Sequence, residues 1–264
     1  MGVIKRILLV FVCVLLFVSL LIGNVFLTFS LSLDKTNIQT ELSPVLKENF
    51  INGINLNSFI DSSYPVMQLH CQTNSEFILE NIYGEYTLNI PCTIINQGSD
   101  EIFDYVLIDF IENFYDAEFD CGFLDCLEKT GSPLFLISAK SKSYFTNNFH
   151  LVISFSIMLF VFMFFLVNKK SNLFILSGIL LIISSLPFMK FNSLFSLIST
   201  NIYLDFISIF FTKSYVVFLI MFLFGLVFLG IGILFKIFGV GFFISKFFSK
   251  KSKVPKPFLN KKKN

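Results

Sequence analysis

Long apolar runs lie toward both ends of this chain, and a long stretch of mixed pattern separates them. The first run follows Lys5-Arg6 and extends from Ile7 to Leu27. At 1.5 Å per helical residue it spans roughly 30 Å, the thickness of a bilayer core. A cleaved signal peptide would have a shorter apolar region and an A-x-A-like site after it, so an uncleaved signal anchor is expected. Further runs cover Phe149 to Val167, Leu173 to Met189 and Val216 to Phe235, the first two ending at Lys169-Lys170 and Lys190. The pattern predicts four transmembrane helices. A fifth apolar stretch, 191–211, is broken by Asn192, Ser193, Ser196, Asn201 and Asp205, and is expected to lie interfacially or re-entrantly on the outer face. Asp205 could be an intramembrane ion or proton site; an acid solvated at the interface is the simpler expectation.

The mixed stretch between the first two spans reads as a mainly helical domain. Leu42, Val45, Leu46, Phe50 and Ile54 follow the i, i+3, i+4 spacing of one helix face. A second helix is expected from Ser99, placed as N-cap, with Asp100 and Glu101 suiting the positive end of its dipole. Its apolar stripe would be Phe103, Val106, Leu107, Phe110, Ile111 and Phe114. Tyr86 to Ile95 carries β-formers without clean alternation and suits a short strand or an extended loop. From Pro133 a helix is expected to run on into the second span.

Charge divides the chain in the same places. Residues 31–150 hold 17 of the 18 acidic residues and 5 of the 20 basic ones, while the remainder is basic apart from Asp205. Only 14% of the residues are charged against 55% hydrophobic, with a mean hydropathy of +0.76. A soluble fold carries about 25% charged residues, so a purely cytosolic enzyme is excluded. The net charge of +2 gives no support to nucleic-acid binding. Lys5-Arg6, Lys169-Lys170 and the lysine-rich tail fall on one side of a four-span protein, and the positive-inside rule makes that side the cytoplasm. The expected organisation is a cytoplasmic N-terminus and signal anchor (1–30), an acidic extracytoplasmic domain (31–148), a membrane domain (149–245) and a basic cytoplasmic tail (246–264). The localisation expected is a plasma membrane.

Cys71, Cys92, Cys121 and Cys126 lie in the acidic segment, and Cys13 sits alone in the first span. Four cysteines in an exported segment suggest two disulfides. Of three pairings, Cys71–Cys92 with Cys121–Cys126 is favoured. A redox-active pair is less well matched, because four residues separate Cys121 from Cys126 where C-x-x-C has two, and Asp120 and Asp125 would oppose a thiolate. Zinc held by His70 and Cys71 lacks paired cysteine knuckles, and His150 is read as marking the membrane boundary. Asp116, Glu118 and Asp120 alternate ahead of Gly122 as in a calcium loop, but Leu127 occupies the twelfth position and the match fails there. These three remain weak calcium candidates. No catalytic motif and no cofactor are implied.

In the fourth span Gly225, Gly232 and Gly239 recur every seven residues and share a face for close helix packing, within the chain or in a homo-oligomer. Lys246, Lys250, Lys251 and Lys253 form a polybasic stretch suited to an anionic membrane surface.

The runs Ile90-Pro-Cys92, Asn96 to Asp100, Asp104-Tyr105, Tyr115 to Cys126 and Pro133 to Ser138 resemble a group of uncharacterised archaeal multi-span membrane proteins. The resemblance covers about a third of the chain and implies no activity. The leading expectation is therefore a non-enzymatic, all-α integral membrane protein displaying a disulfide-stabilised domain for interaction, sensing or assembly. Its partners would be the lipid bilayer and an extracytoplasmic protein or ligand. A membrane thiol-disulfide oxidoreductase and a transporter or channel subunit are the alternatives.

Overall fold

A computed structural model describes residues 3–53, 56–80, 87–130, 133–191 and 207–237. In chain order the elements are α1 (Val3–Ser32), α2 (Lys35–Gly53), α3 (Leu56–His70), β1 (Glu76–Glu80), β2 (Thr87–Pro91), α4 (Cys92–Ile95), α5 (Ser99–Asp116), α6 (Phe123–Thr130), α7 (Ala139–Leu166), α8 (Lys170–Ser185) and α9 (Ser214–Ile237). Short 3-10 turns occupy Pro133–Ile137 and Leu186–Met189.

The protein is an integral membrane protein, all-α except for one hairpin. Among the described residues, four helices are long and apolar enough to cross a membrane: Val3–Ser32, Ala139–Leu166, Lys170–Met189 and Ile207–Ile237. They are the four expected from the apolar runs, each extended by flanking polar turns. A span needs about 20 apolar residues, but its helix can continue wherever its exposed backbone groups stay hydrogen-bonded to each other. Most of the interfacial segment expected at 191–211 lies outside the described residues, as does Asp205.

The chain forms two compact units. One draws on residues 3–23, 152–187 and 218–237, the other on Asn24–Leu151 and Phe188–Val217. The acidic segment thus folds together with the described residues 188–191 and 207–217 rather than alone.

The membrane unit packs Val12, Leu16 and Leu20 of α1 against Leu159, Met163 and Val167, with Leu173 of α8. Ser19 and Ser156 share a buried 2.8 Å hydrogen bond within it. Helices α8 and α9 approach backbone to backbone. A Cβ at Gly178 would stand 2.8 Å from both the Gly225 carbonyl oxygen and the Leu229 nitrogen, and one at Gly232 would be 2.6 Å from Ile175 Cγ1. The glycine face of the fourth span is therefore occupied by α8 of the same chain at Gly225 and Gly232; Gly239 lies outside the described residues. Gly178, which carries no periodic signal of its own, completes the contact.

The acidic unit is built around α5, which packs against α2, α3, α4 and β2. Its buried side is Ile102, Phe103, Val106, Leu107, Ile111 and Tyr115. The expected stripe is rotated: Phe110 and Phe114 are only half-buried, and Ile102 and Tyr115 take the interior. The helix begins differently too. Gly98, not Ser99, is the N-cap, at φ +136°, where a side chain would be strained, and Ser99 is the first helical residue.

Residues 87–91 form a strand, paired antiparallel with β1 so that Glu76 faces Pro91 and Phe77 faces Ile90. The Cys71–Cys92 disulfide closes the open end of this hairpin, with Cα atoms 5.5 Å apart. Cys121 and Cys126 are bonded across the loop after α5, with Cα atoms 5.4 Å apart. This is the pairing favoured from the sequence. Phe123, between them, stacks on Tyr144 of α7 at 4.0 Å. The helix expected from Pro133 is broken. A 3-10 turn ends at Ile137, and the hydroxyl oxygen of Ser138 accepts the Ser141 N–H at 3.3 Å and caps α7.

Candidate functional site

The densest polar construction in the acidic unit is the corner between α1 and α2. Helix α1 stops at Ser32, and Leu33 and Asp34 turn the chain into α2. Asp34 accepts hydrogen bonds from Lys142 Nζ at 2.5 Å and Thr36 Oγ1 at 2.9 Å, and its carbonyl accepts the Ile38 N–H at 2.8 Å. Hydrogen bonding to Lys142, then to Thr36, holds the Asp34 carboxyl below its ordinary range. Lys35 lies between two carboxylates one turn apart on α5, pairing with Glu112 and, at 2.8 Å, with Asp116. Hydrogen bonding to these acids raises the lysine's pKa.

Below the charges the contacts are buried and neutral. Asn37 Nδ2 donates to the Ser32 carbonyl at 2.7 Å and to Thr212 Oγ1 at 2.9 Å. The Lys213 N–H donates to Ser32 Oγ at 3.1 Å, and Ser30 and Thr146 share a 2.7 Å bond between hydroxyls. Tyr115 donates its hydroxyl hydrogen to the Leu33 carbonyl at 2.9 Å. Burial, reinforced by the nearby charges of Asp34 and Asp116, pushes the Tyr115 phenol up to about 12. Phe29 anchors the same corner through edge contacts with Phe145, Phe210 and Phe211 at 5.1–5.5 Å.

A cleft of about 520 Å³ opens beside this corner, lined by Asp34, Asn37, Thr40, Glu41 and Lys213 among others. It offers hydrogen-bond acceptors, an amide and one cation. Within it Asp34 accepts from both Lys142 and Thr36, and none of the lining residues is a histidine. The arrangement can bind a polar ligand or side chain. Sequence reading passed over it because Ser30, Ser32, Asp34 and Asn37 resemble an ordinary linker.

The other expected sites resolve separately. Asp116, Glu118 and Asp120 do not gather into a cation site, Asp116 being turned to Lys35; among the described residues no three His, Cys, Asp or Glu converge as a metal would require. At the disfavoured zinc position Cys71 is bonded to Cys92, and the His70 ring lies edge-on to Phe77 at 5.4 Å. Cys13 is a free thiol. Lys246, Lys250, Lys251 and Lys253 lie outside the described residues. No family model, curated protein or solved structure matches this chain.

Proposed function

We propose that this chain is a non-enzymatic plasma-membrane protein with both termini in the cytoplasm, displaying its acidic unit outside as an interaction, sensing or assembly module. The observation that carries this reading is the pair of disulfides, both in the acidic unit. Disulfides persist in oxidising compartments and are rare in the cytosol. The positive-inside rule assigns the same side independently, from Lys5-Arg6 and Lys169-Lys170. The surface suits a partner with a basic face and an apolar anchor. Asp100, Glu101, Asp104, Glu118, Asp120 and Asp125 are exposed, and Val66 and Leu69 stand out from one face of α3 at 61% and 66% exposure.

A thiol-oxidoreductase reading fares worse. Exchange requires a thiolate to reach a sulfur, and Cys92 and Cys126 are buried, leaving the half-buried Cys71 and Cys121 as the sulfurs within reach. The bridge at Cys121 also lacks the two-residue spacing of a reactive C-x-x-C pair. The membrane unit offers a transporter no carboxylate relay for protons or cations, because its sequence ranges contain no Asp or Glu.

The test is thiol trapping in intact cells with a membrane-impermeant alkylating reagent, before and after reduction, with each cysteine mapped by mass spectrometry. Four cysteines that become reactive from outside only after strong reduction are expected. Free thiols reached only once the membrane is opened would overturn the orientation. A pair that cycles with the quinone pool would overturn the non-enzymatic assignment.

A further inference from the structure

The membrane unit has an unusual electrostatic problem. Residues 1–23, 152–187 and 218–264 include every one of its cations and no carboxylate, so it holds no side-chain counter-charge of its own. Two of its lysines use neutral partners. Lys5 Nζ donates to Asn168 Oδ1 at 3.1 Å. Lys170 Nζ donates to the Phe164 carbonyl and sits 3.8 Å above the Phe164 ring.

Lys169 and Lys236, both exposed, instead line a cleft of about 590 Å³. Lys169 is the N-cap residue of the 16-residue α8; its side chain has no acceptor with which to cap the helix, and its carbonyl takes the Asn172 N–H at 3.0 Å. The first turn of α8 therefore adds N–H groups and partial positive charge beside the lysines. Asn172, in that turn, supplies an amide to the same cleft, whereas Leu9, Leu176 and Ile179 form apolar wall. Lys236 reaches this position because Gly225 and Gly232 hold α9 against α8, and Lys236 follows one turn after Gly232.

A cationic, amide-bearing mouth joined to an apolar wall, on helices of membrane-spanning length, fits an amphiphile with a phosphate head and a hydrocarbon chain. We infer that this cleft binds an anionic phospholipid, its phosphate at Lys169, Lys236 and the α8 N-terminus and its acyl chain along Leu176 and Ile179. A free phosphate would satisfy the lysines but leave the apolar wall uncovered. The lipid supplies the anion that the unit lacks.

The test uses the full-length protein in nanodiscs of phosphatidylcholine containing a minor fraction of phosphatidylglycerol. Lipids retained through detergent extraction are counted by native mass spectrometry. Phosphatidylglycerol is expected to be enriched over phosphatidylcholine. Each lysine near an anionic lipid contributes about fivefold, so Lys169→Gln with Lys236→Gln should lower the enrichment roughly 30-fold. Ile179→Trp, which leaves charge unchanged and sits at an exposed position, should also lower it by crowding the wall. The charge-matched pair Lys47→Gln with Lys140→Gln, in the acidic unit, should leave it unchanged. The site is overturned if phosphatidylglycerol is not enriched, if the acidic-unit pair lowers enrichment as much as the cleft pair, if Ile179→Trp has no effect, or if water-soluble glycerol phosphate displaces the lipid.

Discussion

Removing the two disulfides one at a time should produce unequal losses, and the inequality is set by the loops they close. Cys71 and Cys92 are 21 residues apart, Cys121 and Cys126 only 5. Loop-closure entropy in the unfolded chain, about 2.1 + 1.5R ln n cal/mol/K, gives about 3.3 kcal/mol for the first bridge and about 2.1 kcal/mol for the second. The replacements should be Cys71→Ala with Cys92→Ala, and Cys121→Ala with Cys126→Ala. Serine would put a hydroxyl at the fully buried Cys126 position, adding a desolvation cost unrelated to the bridge. A folding unit of this size shifts its midpoint by roughly 2–4 °C per kcal/mol. The larger loop should therefore cost about 7–13 °C and the smaller about 4–8 °C, read by near-ultraviolet circular dichroism of the full chain in micelles. Strong reductant added to the unmodified protein should reproduce the combined loss. If opening Cys121–Cys126 costs as much as opening Cys71–Cys92, chain entropy is not what these bridges supply. The packing of Phe123 on Tyr144 would then be the better explanation of the smaller loop's effect.

Three further outcomes follow from the described contacts. Tyr115→Phe leaves the buried Leu33 carbonyl without its phenol donor and should cost about 1–3 kcal/mol. Because the Tyr115 pKa is raised, its contribution is intact below pH 10 and disappears as pH rises toward about 12; absorbance titration should show a late tyrosine component that shrinks by one residue in the variant. Gly178→Ala places a Cβ 2.8 Å from two backbone atoms of α9 and should cost about 1–3 kcal/mol in thermal stability. Gly230→Ala, which meets nothing within 4 Å, should be neutral or slightly stabilising. The carboxyl of Asp34 is depressed, so what it contributes is present above the usual carboxylate range and lost as pH falls through its folded value. Asp34→Asn should flatten the acid limb of the stability curve by no more than about 1 kcal/mol, because the pair with Lys142 is open to solvent.

The spans were legible in the sequence because lipid imposes a composition that few other environments tolerate, and the cysteines because an even set in one acidic segment admits few pairings. What the sequence hid depends on contacts distant along the chain. Tyr115 is polar enough to leave off an apolar stripe, yet it is buried because the carbonyl it needs belongs to Leu33, 82 residues away. Strand β1 is only Glu-Phe-Ile-Leu-Glu and has no alternation to announce it; β2 and the Cys71–Cys92 bridge hold it in place. Gly98 was overlooked for a local reason. Ser99 carries the side chain that usually caps a helix, but the chain enters α5 at a positive φ that glycine adopts without strain.

The corner at Asp34 shows why its polar residues carry more structural weight than its ion pairs. Lys35 and Lys142 both find carboxylates, but every one of these partners keeps a third or more of its side chain in water. Exposed pairs of this kind contribute about 0–1 kcal/mol each. Asn37, Ser30 and Tyr115 are instead nearly or fully buried, and Asn37 and Tyr115 donate to the carbonyls of the buried Ser32 and Leu33. Losing one such partner exposes the full desolvation cost of the other. The neutral bonds therefore fix the geometry of the corner, joining the end of α1 to α5, to α7 and to the turn at 207–213. The charges above them remain accessible to solvent, and so to whatever enters the adjoining cleft.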